Sequence, residues 1–153
     1  MKRFLVLIIL ALMCGVTASS SQSKKTGIGI VLGSPTGFSI KHWNSQEVAY
    51  QGAIGGGFGG LRIGADYLIH SNAFNNAQLP FYYGPGAFLG PGGFGGRKYQ
   101  SGDLALGGRF MFGVNYLFPE HPFDFAVEVG PSLLLAPFVD VYIELGIAFR
   151  FYP

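Results

Sequence analysis

Val139-Asp140-Val141-Tyr142-Ile143-Glu144-Leu145-Gly146-Ile147-Ala148-Phe149-Arg150-Phe151 alternates without a break. Every odd position is apolar, and every even one is polar or small. A period of two marks a strand with two unlike faces. Wound as a helix, the same residues would scatter Asp140, Glu144 and Arg150 around an apolar cylinder. The stretch is also long. Strands of soluble domains mostly run about five or six residues, whereas a tilted barrel strand crosses a bilayer in about 9–11.

The same period recurs upstream. Residues 26–33 set Ile28, Ile30 and Leu32 against Gly27, Gly29 and Val31. A turn at Gly33-Ser34-Pro35-Thr36 leads into 36–43, with Phe38 and Ile40 on one face and Trp43 at its end. Further strands are predicted over 47–56, 60–70, 79–89, 103–118 and 123–134, the last connecting through Ala136-Pro137 to 139–151. Polar or Gly/Pro-rich segments separate them. Of these, 90–102 is a long glycine-rich loop carrying Arg97 and Lys98. Two prolines fall inside strands, where each removes a ladder hydrogen bond. A bulge is expected at Pro85 and a strand end near Pro131. The sum is an all-β chain: an eight-stranded, up-and-down, antiparallel transmembrane β-barrel over 26–153. Closure removes the free edges that lipid does not tolerate.

Composition agrees. Of 153 residues, 49% are hydrophobic and only 12% charged, too little charge to cover a soluble surface. Residues 1–18 read as a signal peptide: Lys2 and Arg3, an apolar run from Phe4 to Met13, and small residues up to Ala18. A short linker, 19–25, follows. Cys14, the one cysteine, lies inside the signal, where lipidation is the alternative to removal with it. The precursor carries 10 basic and 8 acidic residues. Removing Lys2 and Arg3 leaves eight of each, so no basic surface argues for nucleic acid.

The alternation puts Lys41, Arg62, Asp66, Arg109, Asp124, Glu128, Asp140, Glu144 and Arg150 on the less apolar face. Four are positive and five negative. That set suits a narrow lumen closed by ion pairs, with Leu, Ile, Val and Phe facing lipid. The rival is a soluble, lipocalin-like barrel with its apolar face inward, which would need a charge-rich exterior. With the amino end on the inner side of the membrane, Trp43, Tyr67, Phe81, Tyr83, Tyr116, Phe118, Phe123, Phe125 and residues 149–152 supply an aromatic girdle at one level.

Glu144-x-Gly146-x-x-Phe149-x-Phe151 resembles the carboxy-terminal signal by which bacterial outer-membrane barrels are recognised by their assembly machinery. Here Tyr152-Pro153 follow the usual terminal aromatic. Asp66-Tyr67-Leu68, Leu79-Pro80-Phe81-Tyr82-Tyr83-Gly84, Asn115-Tyr116-Leu117-Phe118-Pro119 and Phe125-Ala126-Val127-Glu128-Val129-Gly130-Pro131 are similar to an uncharacterised family of small OmpA-like outer-membrane barrels. The resemblance spans 26–153. It implies that fold, an outer-membrane location, contact with outer-membrane lipid and no catalytic residues.

Chemistry is sparse. His42, His70 and His121 lack metal-ligand spacing. His70-Ser71-Asn72 is one residue short of the His-x-Ser-Asn of lipid A deacylases. Asp124, Glu128, Asp140 and Glu144 could be read as paired carboxylates, but arginines on the same face favour ion pairs. Neither Gly55-Gly56-Gly57 nor the run from Gly90 to Gly96 precedes a helix, so neither is a phosphate loop. The expectation is a non-enzymatic outer-membrane barrel with a plugged polar lumen, in a structural or surface-interaction role, without cofactor or metal. A surface ligand would have to use the 90–102 loop. The alternatives are a small-solute pore and a lipid A-modifying enzyme.

Overall fold

The computed structural model describes residues 25–57, 60–91 and 104–153. Eight strands follow in order: β1 (Thr26–Gly33), β2 (Thr36–Trp43), β3 (Val48–Gly57), β4 (Gly60–Ser71), β5 (Phe81–Pro91), β6 (Leu104–Leu117), β7 (Phe123–Ala136) and β8 (Asp140–Phe151). Each pairs antiparallel with its neighbour in sequence, and β1 closes the barrel on β8. The expected signal segment 1–18, with Cys14, lies outside the described residues, as do 19–24 of the linker. Of the 90–102 loop, Gly90 and Pro91 extend β5, pairing with Ala105 and Leu104; the rest lies outside the described residues.

The register fixes the shape. From Asp140, ladder partners run through Leu134, Gly107, Phe88, Gly64, Ala53, Ser39 and Gly29, and the circuit re-enters β8 at Arg150. The shear is therefore 150 − 140, or ten residues. Strands so staggered tilt by roughly 35–45°, and eight of them enclose a space only wide enough for side chains. The ends of β1 and β8 that carry the termini define the near end, together with connections 44–47, 72–80 and 118–122. Turns 34–35 and 137–139 lie at the far end.

Both proline expectations are corrected. At Pro85 the β4 ladder lapses opposite Gly84 and Pro85, then resumes in the same register. At Pro131 the β6 ladder lapses opposite Gly130 and Pro131 and likewise resumes, and β7 runs on to Ala136. Each lapse involves a Gly-Pro pair. The proline lacks the N–H, and a Cβ on the glycine would meet the backbone carbonyl of Tyr67 or Phe110. The missing bond is thus absorbed by close approach, with no inserted residue. The real bulge is elsewhere. Leu106 pairs with Ala136 and Gly107 with Leu134, so Leu135 is passed over.

The faces divide as the alternation predicts. Ile28, Ile30, Leu32, Phe38, Ile40, Ile63, Val127 and Ile147 stand exposed on the outer wall. Charged residues and glycines line the interior. Several inward glycines make room for one large side chain each: Gly27 for Tyr152, Gly113 for Tyr82, Gly107 for Phe88 and Gly64 for Arg109. Small residues facing large ones let a narrow lumen accept bulky side chains.

Gly33, with φ of 130°, turns the chain out of β1. Thr36 Oγ1 accepts from its N–H at 3.0 Å and donates to its carbonyl at 2.9 Å.

Candidate functional site

The lumen contains two stacked charge clusters. In the one toward the far end, Arg109 from β6 donates through Nε and Nη2 to both oxygens of Asp66 on β4, each at 2.7 Å. Its Nη1 reaches Glu144 of β8 at 2.9 Å. Glu144 also pairs with Arg62 of β4 and accepts from the Ser132 hydroxyl at 2.7 Å. The Arg62 guanidinium lies 3.6 Å from the centre of the Phe88 ring. Two cations meet two anions, and the set is formally neutral.

The second cluster centres on Arg150 of β8. Its Nε donates to Ser39 at 3.0 Å, Nη1 to Asp124 at 3.3 Å, and Nη2 to Gln51 at 2.7 Å and to Glu128 at 2.9 Å. Gln51 and the Tyr82 hydroxyl also donate to Glu128, at 3.0 and 2.6 Å. Lys41 makes this cluster neutral too, in a different way. It is fully buried, and among the described residues its Nζ has no hydrogen-bond acceptor. It sits over the rings of Tyr82 at 4.3 Å and Trp43 at 4.9 Å.

Aromatic residues close both ends of this column. Beyond Arg62, Phe88 and Leu134 pack with Phe138 and Tyr142. At the near end Trp43 Nε1 donates to the Tyr152 hydroxyl at 3.2 Å, and that hydroxyl donates to Asp124 at 2.7 Å. Burial first, then the Asp124 carboxylate, pushes the Tyr152 phenol up, so it stays protonated as that donor. The His70 ring lies between Trp43 at 4.2 Å and Tyr82 at 4.9 Å. A cleft of about 550 Å³ at this mouth is lined by Trp43, Glu47, His70, Asn72 and Asn76.

Eight of the nine expected lumen charges are buried inside: Lys41, Arg62, Asp66, Arg109, Asp124, Glu128, Glu144 and Arg150. Asp140 is not. It is exposed at the far rim, and its carboxylate accepts the Val141 N–H at 2.9 Å. Alternation alone cannot tell where a strand rises clear of the lumen. Its removal leaves four charges of each sign. Trp43 and Tyr152 also depart from expectation, turning inward to close the near mouth. Other aromatic residues of the expected level do pair with one another: Tyr67 with Tyr50 at 5.6 Å, Tyr116 with Phe118 at 4.8 Å and Phe123 with Phe151 at 5.1 Å. Of the residues expected to form an assembly signal, Glu144 is buried in the lumen while Phe149 faces outward and Phe151 is half-buried at the near rim. Sequence reasoning missed Ser39, Gln51, Tyr82 and Ser132 as members of the network. Their inward parity was legible, but which charge each would meet was not.

Among the described residues no side-chain hydrogen bond reaches the His70 ring, and none joins it to Ser71. Among the described residues there is no group of three or more His, Cys, Asp or Glu able to hold a metal. The fold and lumen define a class, a closed eight-stranded barrel with apolar outer walls and a charge-neutral polar core. No protein-family model matches the chain, and no curated protein or solved structure matches it.

Proposed function

We propose that this chain is an integral outer-membrane β-barrel of the small OmpA-like kind, non-enzymatic, acting as a structural or surface-interaction protein with a plugged lumen. One observation carries the reading: apolar side chains cover the outside of every strand, while eight charged side chains of the wall turn inward and seven of them form ion pairs. In water that arrangement exposes the wrong face; in lipid it is the required one. Residues 1–18 supply the export signal in this reading, and Glu144, Gly146, Phe149 and Phe151 the recognition element for assembly. The carboxylates support a non-enzymatic role, since Asp66, Asp124, Glu128 and Glu144 are committed to arginine or hydroxyl partners.

The test is heat-modifiability of the mature chain refolded in detergent, followed by flotation with phospholipid vesicles. A gel-mobility shift on boiling and co-flotation are expected. A chain monomeric in water without detergent overturns the reading. Planar-bilayer recording separates the plugged barrel, which holds current at baseline, from a small-solute pore.

A further inference from the structure

The wall is not equally tall around the far rim. β8 begins at Asp140, yet its pairing with β1 starts only at Gly146, opposite Gly33. The turn adds one bond, from Ser34 N–H to the Leu145 carbonyl at 2.9 Å. Residues 140–144 bond to β7 on one side. On the other side, among the described residues, they meet no strand. The outer side chains report the same gap. Val139, Val141, Ile143 and Leu145 are 72%, 68%, 66% and 64% exposed, against 46% for Ile147 and 44% for Phe149, where β1 takes over. Five residues make an open edge roughly 16 Å long.

Which backbone groups face the gap follows from the bond pattern. Along an antiparallel strand, successive residues turn their N–H and C=O to opposite sides. Leu145 turns its carbonyl toward β1, so Val141 and Ile143 face the gap. The pairing of Ile143 with Pro131 agrees, because a proline has no N–H to exchange across the ladder. The Val141 N–H is answered by its neighbour's carboxylate. Among the described residues, the Ile143 N–H and both carbonyls have no strand partner.

We propose that this edge is a docking site for an extended segment of a partner polypeptide, which adds as a strand antiparallel to β8 in the space above the β1–β2 turn. The backbone selects the class of partner. Donors and acceptors at strand spacing are matched by another extended backbone. Its outward side chains would continue the row of Val141 and Ile143 and be apolar. Its inward ones, beside Tyr142 and Glu144, would be small or polar. A second copy does not fit. Antiparallel pairing of two β8 edges needs a two-fold axis perpendicular to the sheet, which inverts one barrel relative to the other. Copies inserted in one membrane stand the same way up. Asp140 has a place in this reading: its carboxylate occupies one edge donor and blunts indiscriminate pairing.

The test uses the full mature chain refolded in detergent and an end-blocked, fluorescein-labelled peptide of seven residues alternating valine and threonine. Anisotropy titration is expected to saturate. The same peptide N-methylated at alternate residues is expected not to bind. Ile143→Pro removes an edge-facing N–H and no β7 ladder bond; it is expected to weaken binding about tenfold. Asp140→Ala frees the Val141 N–H and is expected to tighten binding. Failure of the unmodified chain to bind, equal binding of the methylated peptide, or a dimer formed through this edge overturns the proposal. If Ile143→Pro does not refold, the methylated peptide and Asp140→Ala still decide it. The edge depends on the barrel's register and not on its location. A barrel that floats with vesicles but binds no peptide refutes this inference alone, and one that binds peptide but stays out of vesicles refutes the membrane reading alone.

Discussion

The two lumen clusters hold the same formal charge by different means. In the first cluster the Arg109 guanidinium bonds only to carboxylates, and Asp66 depends on that one guanidinium for both its oxygens. Around Arg150 a single cation serves two carboxylates, an amide and a hydroxyl, while Lys41 rests on aromatic faces. The first cluster gives Asp66 a single partner, while Glu144 is shared by Arg109, Arg62 and Ser132. The second is redundant, because its acids also accept from Gln51, Tyr82 and Tyr152 and lie in the field of Lys41. Buried pairs add little net stability over apolar packing, but losing one partner strands the other. Dependence on a single partner therefore decides what breaks.

The largest effect is expected from Arg109→Leu. It leaves Asp66 buried and unpaired, and equilibrium unfolding in urea, followed by fluorescence of the sole tryptophan, Trp43, should show a loss of about 3–5 kcal/mol. Arg150→Leu should cost less, about 2–3 kcal/mol, because hydroxyl, amide and Lys41 partners remain for Asp124 and Glu128. If Arg150→Leu proves the worse, the claimed redundancy is wrong. Adding Asp66→Leu to Arg109→Leu should restore part of the loss, with a coupling of about 1–3 kcal/mol in the double-mutant cycle. Additive costs would mean the pair is not isolated from its neighbours. Lys41→Met should be the mildest, about 1 kcal/mol, since it removes cation–π contacts and no hydrogen bond. A cost matching Arg109→Leu would show that Lys41 meets a carboxylate directly.

Much of this molecule was readable before folding. The period-two pattern located all eight strands, and inward parity found eight buried charges. Strand edges shifted by a residue or two; β5 begins at Phe81 and keeps Gly90 and Pro91. The prolines were misjudged because a ladder lapse needs the neighbouring strand's carbonyl, which a single strand's sequence does not contain. Trp43 shares the inward parity of Lys41, and Tyr152 that of Arg150, so alternation already turned both inward; only their contact with each other, across a separation of 109 residues, was beyond it.

The sequence by itself determined the strand count, the two faces and the separation of charge from apolar surface. These follow from alternation, a local property set by the pleat. The tertiary structure decided the shear of ten, the partner of each charge, the aromatic closure of both mouths and the height of the rim. Those depend on how strands slide past one another and where the first meets the last. Asp140 marks the boundary between the two kinds of knowledge. Its parity is that of a lumen residue, and only the short β1 beside it leaves it on an open edge.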